Sequence, residues 1–182
     1  MKRLALPRWI AFLVCGGVLL TWPSVRGASV SEAQVKAVLL FRLSQFVNWP
    51  PAAEAQPFCI GILGPDDLGE ALDQAVQGEL VRGRPLTVKR SMNAAELADC
   101  QIVFVSPEVR ETLAHIRGEL NRMPSLLVGE SDDFLSDGGM IRLALMEDRK
   151  IRLEIQLDRV RASGLKVSAQ LLRVSIVKGS PS

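Results

Sequence analysis

The sequence predicts an α/β fold of three layers: a mostly parallel sheet flanked by helices, with a C-terminal antiparallel hairpin. Short apolar runs alternate with helical patterns as far as residue 129, as when parallel strands are joined by helical crossovers. Gly64-Pro65 and Ser106-Pro107 close two of those runs abruptly. Beyond residue 140 the period changes to two. Ile151, Leu153, Ile155 and Leu157 interleave with Arg152, Glu154 and Gln156, giving one buried and one wet face.

Taken in order, Ser31 to Val47 reads as a helix. Ser31 and Gln34 have capping-box spacing, Val35, Val38, Leu39, Leu43, Phe46 and Val47 recur at helical intervals, and Trp49-Pro50-Pro51 stops the ladder. Phe58 to Gly64 is a buried strand, Pro65 to Gln77 a short helix and Leu86 to Lys89 a second strand. Asn93 caps a helical turn to Ala98, and Gln101 to Val105 is a third strand. Ser106-Pro107-Glu108 has the chemistry of a helix start, predicting a helix to about Asn121, followed by a strand over Leu126 to Gly129. Met140 to Met146 and Lys150 to Leu157 form the hairpin, expected at the sheet edge. Asp158 is the expected N-cap of a helix to Ser163, with Gly164 at C′, and Lys166 to Val177 reads as partly helical.

The first 27 residues read as a secretory signal. Lys2, Arg3 and Arg8 precede an apolar run from Trp9 to Leu20, and small residues around Gly27 suit cleavage there. The run falls short of the roughly 20 apolar residues of a spanning helix. Cys15 lacks the small preceding residues of a lipoprotein signal. One domain, residues 28–178, is expected to follow, with a disordered tail at 179–182 and a periplasmic location. The leader carries four basic residues and no acid, so 18 basic and 20 acidic residues remain. That balance disfavours nucleic acid as a partner.

Two cysteines lie beyond the leader, Cys59 and Cys100. An even pair in an oxidising compartment points to a disulfide, and two buried free thiols are the alternative. Cys59 opens the first strand and Cys100 precedes the third. If these strands are parallel neighbours, both sulfurs lie at one end of the sheet.

Catalytic and cofactor signals are thin. His115, the sole histidine, falls mid-helix without ligand spacing, and no Gly-x-Ser-x-Gly elbow occurs. Gly61-x-x-Gly64 leads into Pro65-Asp66-Asp67, where two acids repel a phosphate, so a capped turn is the preferred reading. Asp132, Asp133 and Asp137 lack calcium-loop spacing. No metal, cofactor or catalytic residue is expected. Beyond the leader, Trp49, five phenylalanines and no tyrosine make a poor stacking surface.

Several segments together resemble the YfiR-like (HmsC-like) family of bacterial periplasmic proteins over roughly residues 33–176. They are Lys36-Ala37 with Phe41-x4-Phe46-Val47-x-Trp49-Pro50; Phe58 to Gly64; Cys100 to Val105; Gly138-Gly139-Met140-Ile141; and Asp158 to Leu172, including Ser163 to Ser168. The resemblance implies a repressor of an inner-membrane diguanylate cyclase, acting on its periplasmic sensor region and released by an envelope signal, often through an outer-membrane lipoprotein. It also implies that Cys59 and Cys100 form a structural disulfide. Some relatives carry another cysteine pair near the Gly-Gly-Met segment, which this sequence lacks. A homodimer is compatible with the reading.

The half-exposed C-terminal part is the expected partner surface, with Ile141, Glu154, Val160, Lys166 and Ser168 as candidate contacts; core packing is the alternative for Ile141 and Val160. Glu154→Lys is expected to weaken partner binding at nearly unchanged stability. The competing class is a small-solute binder, with a pocket at the carboxyl ends of the parallel strands lined by Gly64-Pro65 and Ser106-Pro107.

Overall fold

The computed structural model describes residues 30–51 and 57–179. The predicted leader, its cleavage point and residues 180–182 of the predicted tail lie outside this range.

Helix α1 (Glu32–Phe46) starts where the capping box requires: the Ser31 hydroxyl accepts from the Gln34 amide at 3.1 Å, and Gln34 Oε1 accepts from the Ser31 amide at 2.8 Å. Its buried face is Ala37, Leu40, Leu43 and Ser44, spaced by three and four residues. Strand β1 (Val47–Asn48) follows at once, then β2 (Phe58–Leu63), α2 (Gly69–Val76), β3 (Leu80–Val81) and β4 (Arg84–Ser91). A 3-10 turn at Ala94–Leu97 leads to β5 (Ile102–Val105), α3 (Leu113–Glu119), β6 (Leu126–Gly129), β7 (Ile141–Leu145) and β8 (Ile151–Gln156). The chain ends through α4 (Leu157–Ala162), β9 (Lys166–Val167), α5 (Ala169–Arg173) and β10 (Ile176–Lys178).

Eight strands form one sheet in the order β10-β8-β7-β6-β5-β2-β4-β3. Pairings are parallel except β7 with β8 and β3 with β4. The crossovers β2–α2–β4 and β4–turn–β5 travel in opposite directions. Right-handedness therefore puts α2 and the 3-10 turn on opposite faces. A Cβ on Gly61 would meet the Leu97 side chain at 3.2 Å, so alternate residues Ile60 and Ile62 face the other way. Helix α1 packs on α2, while α3 packs on the 3-10 turn, completing three layers. Phe58, Ile60, Ile62, Ile102, Leu126 and Val128 are wholly buried in the α1 layer.

Several boundaries differ from expectation. Helix α2 starts at Gly69 because Asp66 Oδ1 accepts from the amides of Leu68 (2.9 Å) and Gly69 (3.0 Å), folding the preceding residues into a turn. Ser106 caps no helix. Its hydroxyl donates to the Pro65 carbonyl, and α3 begins at Leu113, capped by Thr112. The N-cap position of α4 is Gln156, with Asp158 in the first turn, where its charge suits the helix dipole. Gly164 takes positive φ (+77°) after the helix, as expected at C′. The β7–β8 hairpin is not the sheet edge, because β10 adds in parallel outside β8. The β3–β4 turn was missed: Arg82 and Gly83 both have positive φ, the two-residue hairpin geometry.

Candidate functional site

Cys59 and Cys100 are joined, with Cα atoms 4.5 Å apart across the N-terminal ends of β2 and β5. Strand register explains the match: Ile60 pairs with Ile102, and the Gln101 amide donates to the Cys59 carbonyl at 3.0 Å. Trp49 closes this end. Its indole donates to the Gln101 carbonyl at 3.2 Å, and its ring meets Phe58 edge-on at 5.1 Å between centroids.

The opposite end holds the switch point between β2 and β5, where solutes bind in open parallel sheets. A cavity of about 380 Å³ opens at this end, lined by Ser106, Pro107, Thr112 and Phe134 but not by Gly64 or Pro65. The Ser106 hydroxyl ties the two strand-end loops together through Pro65. Gly64 (φ +95°) leaves no room for a Cβ, which would lie 2.6 Å from Val109. Beneath α1, Lys36 pairs with Glu32 (2.6 Å) and with Glu130 at the end of β6. Burial alone would lower the Lys36 pKa, but hydrogen bonds and charge from Glu130 and Glu32 outweigh it and raise it.

The expected partner residues separate into two groups. Ile141 and Val160 are wholly buried core residues, so neither presents a surface to a partner, which corrects that expectation. Their β-branched side chains are packed inside the sheet and α4. Lys166 is exposed on β9, where it pairs with Asn48 of β1. Ser168 is half-buried and caps α5, accepting from the Leu171 amide at 3.2 Å. Glu154 is only 13% exposed at its side chain. It faces Arg142 across the ladder (3.2 Å) and receives Lys178 at 3.7 Å. A lysine there would meet two cations, so Glu154→Lys is expected to lower stability.

Sequence reasoning missed what holds this region. Arg142 binds Asp132 as well as Glu154, and donates to the Glu130 carbonyl at 3.3 Å. The Phe134 ring lies against the backbone of Gly129 and Gly139. The Gly-Gly pair and the matching parity of Arg142 and Glu154 were the available signals. The aspartates at 132–137 build turns: the Asp137 amide donates to the Asp133 carbonyl at 2.9 Å. Among the described residues no cluster of His, Cys, Asp or Glu could hold a metal. His115 is exposed on α3, 3.7 Å from Glu111.

These features define an α/β domain with a mostly parallel sheet and one structural disulfide. The family model described as YfiR/HmsC-like matches residues 33–176, and the chain belongs to that family. No curated protein matches. Among solved structures, a conserved domain protein from Vibrio cholerae is similar at 9% identity and TM-score 0.54, covering 82% of this chain and 60% of its own. The ABC domain in complex with L-Trp from Streptococcus pneumonia aligns at 10% identity and TM-score 0.48, over 80% of this chain and 59% of its own. The chain thus spans about three fifths of the length of these structures. The first likeness is one of fold.

Proposed function

We propose that this chain is a periplasmic regulatory binding protein that represses an inner-membrane diguanylate cyclase through its periplasmic sensor region. It thereby holds down cyclic di-GMP and biofilm formation. The carrying observation is the match to the YfiR/HmsC-like family over residues 33–176. The Cys59–Cys100 bridge suits an oxidising compartment, and a leader cleaved after Gly27 would deliver the chain there. Repression requires no chemistry on the part of this chain. Binding one state of the cyclase better than another shifts its equilibrium by that difference in affinity. An envelope signal, such as an outer-membrane lipoprotein, relieves repression by competing for the repressor. Lys166, exposed on β9, is the candidate contact that such a partner can reach most freely.

The test is to capture detergent-solubilised membranes of the native cell on the purified protein, and to measure cyclic di-GMP after deleting its gene. Capture of a diguanylate cyclase, with cyclic di-GMP rising on deletion, is the expected result. An unchanged level with no cyclase captured would overturn the reading.

A further inference from the structure

At the far end of the β7–β8 hairpin, an apolar groove of about 480 Å³ opens between the hairpin tip and the start of α1. Val30, Val35, Leu145 and Ile151 supply its apolar lining, with Val30 71% and Leu145 52% exposed. Leu145 and Ile151 are register partners at the last rung of the hairpin. On the outer side, β10 pairs only with Glu154 to Gln156, leaving the Ile151 end of β8 without a neighbour strand.

The rim is basic. Arg149 has no ionic partner among the described residues, and Lys150, 75% exposed at its side chain, has only a loose contact with Asp148 at 3.7 Å. Glu32, the acid in the lining, shares Lys36 with Glu130. The tip is held in place: Asp148 Oδ1 accepts from the Lys150 amide at 3.1 Å, the Met146 amide donates to the Lys150 carbonyl at 2.9 Å, and Arg149 sits at φ +61°. The backbone that carries the two cations is therefore held beside exposed apolar surface.

We propose that this groove docks an amphipathic, acidic segment of the partner, with an apolar side chain seated between Val30 and Leu145 and flanking carboxylates against Arg149 and Lys150. Naming the partner as the cyclase's periplasmic region rests on the function proposed above. The chemistry argues against the other occupants. The groove lies at an exposed hairpin tip, where a free solute would stay largely in water, whereas solute pockets bury most of their ligand. A second copy on a two-fold axis would bring Arg149 and Lys150 against themselves. A membrane surface favours a larger basic cluster than the two cations at this rim.

The experiment places the photo-crosslinking residue p-benzoylphenylalanine at position 145 of the full chain in its native cell. Position 92 serves as control, since Met92 is 71% exposed and lies just after β4 on the far side of the sheet. The adduct peptide is mapped by mass spectrometry. The expected result is a periplasmic peptide of a membrane protein, rich in apolar residues and Asp or Glu, formed from position 145 and not from position 92. Adding Arg149→Gly and Lys150→Gln should reduce that adduct at least tenfold with the melting temperature kept, because glycine accepts the positive φ at 149. No adduct above the control, an adduct with a second copy of this chain, or adducts with lipid alone would overturn the proposal. An acidic peptide from a protein without a cyclase domain keeps the docking site and removes the cyclase reading. Capture of a cyclase with no adduct from position 145 does the reverse.

Discussion

The side-chain oxygen of Gln101 accepts a hydrogen bond from the Cys59 amide at 2.7 Å, so the residue following one half-cystine holds the backbone of the other. Gln101 is wholly buried. Gln101→Met keeps the bulk but leaves the Cys59 amide without that acceptor, a cost of about 1–3 kcal/mol. The melting temperature should fall by several degrees while thiol titration still finds the disulfide intact. An unchanged melting temperature would mean that water or another group replaces the carboxamide at no cost.

Phe134 and Gly129 are a coupled pair. A Cβ on Gly129 would come to 2.4 Å from the Phe134 ring, so Gly129→Ala should destabilise by about 1–3 kcal/mol through overpacking. Phe134→Ala alone should cost about 3–5 kcal/mol as a cavity. The double variant should be more stable than the sum of the two losses implies, because the methyl group enters the space the ring vacates. Denaturant titration of all four proteins checks this, and strict additivity would contradict the packing described.

Glu154 lies between Arg142 and Lys178 with little exposure. Glu154→Lys should therefore cost about 1–3 kcal/mol, between the values for surface and buried ion pairs. Leu145→Glu, at the exposed hairpin tip, should leave the denaturation midpoint unchanged. Equal midpoints for all three proteins would remove the ionic role given to Glu154.

Asp66 supplies a pH dependence. Burial alone would raise its pKa from the ordinary 3.8, but Arg90 and the amides of Gly69 and Leu68 outweigh it and leave it lowered. A carboxylate with a lowered folded pKa contributes stability that is present above pH 3.8 and lost as pH falls through the folded value. Asp66→Asn should thus be less stable than the native protein at neutral pH, with the gap closing as pH falls below about 3.8. Chemical denaturation from about pH 2 to pH 7 measures the gap, and one that stays constant would show that the ionised carboxylate contributes nothing.

The layer order and most of the parallel strands were legible because buried strands such as Ile102–Val105 are apolar throughout and bounded by turn residues. The disulfide was legible because it needs only two cysteines at one end of neighbouring strands. The errors arose where one side chain had two uses. Ser106 has the chemistry of a cap, yet its hydroxyl is taken by Pro65 across 41 residues, which no local pattern encodes. Lys166 to Val177 carries helical spacing at Leu171 and Leu172, but two short strands flank the five-residue helix, and their partners β1 and β8 are distant in sequence. Ile141 and Glu154 illustrate the difficulty of selecting contacts in an alternating strand. Parity separates the faces, but not an ion pair holding a sheet together from a charge available to a partner.

Trp49 has an optical consequence. It is the single tryptophan outside the predicted leader, and its indole rests on Phe58 and the Gln101 carbonyl, each the immediate chain neighbour of a bridged cysteine. Disulfides quench indole emission at close range. Fluorescence of the native chain should therefore start dim and brighten on reduction, so that one emission wavelength records the oxidation state of the bridge in real time, without labels.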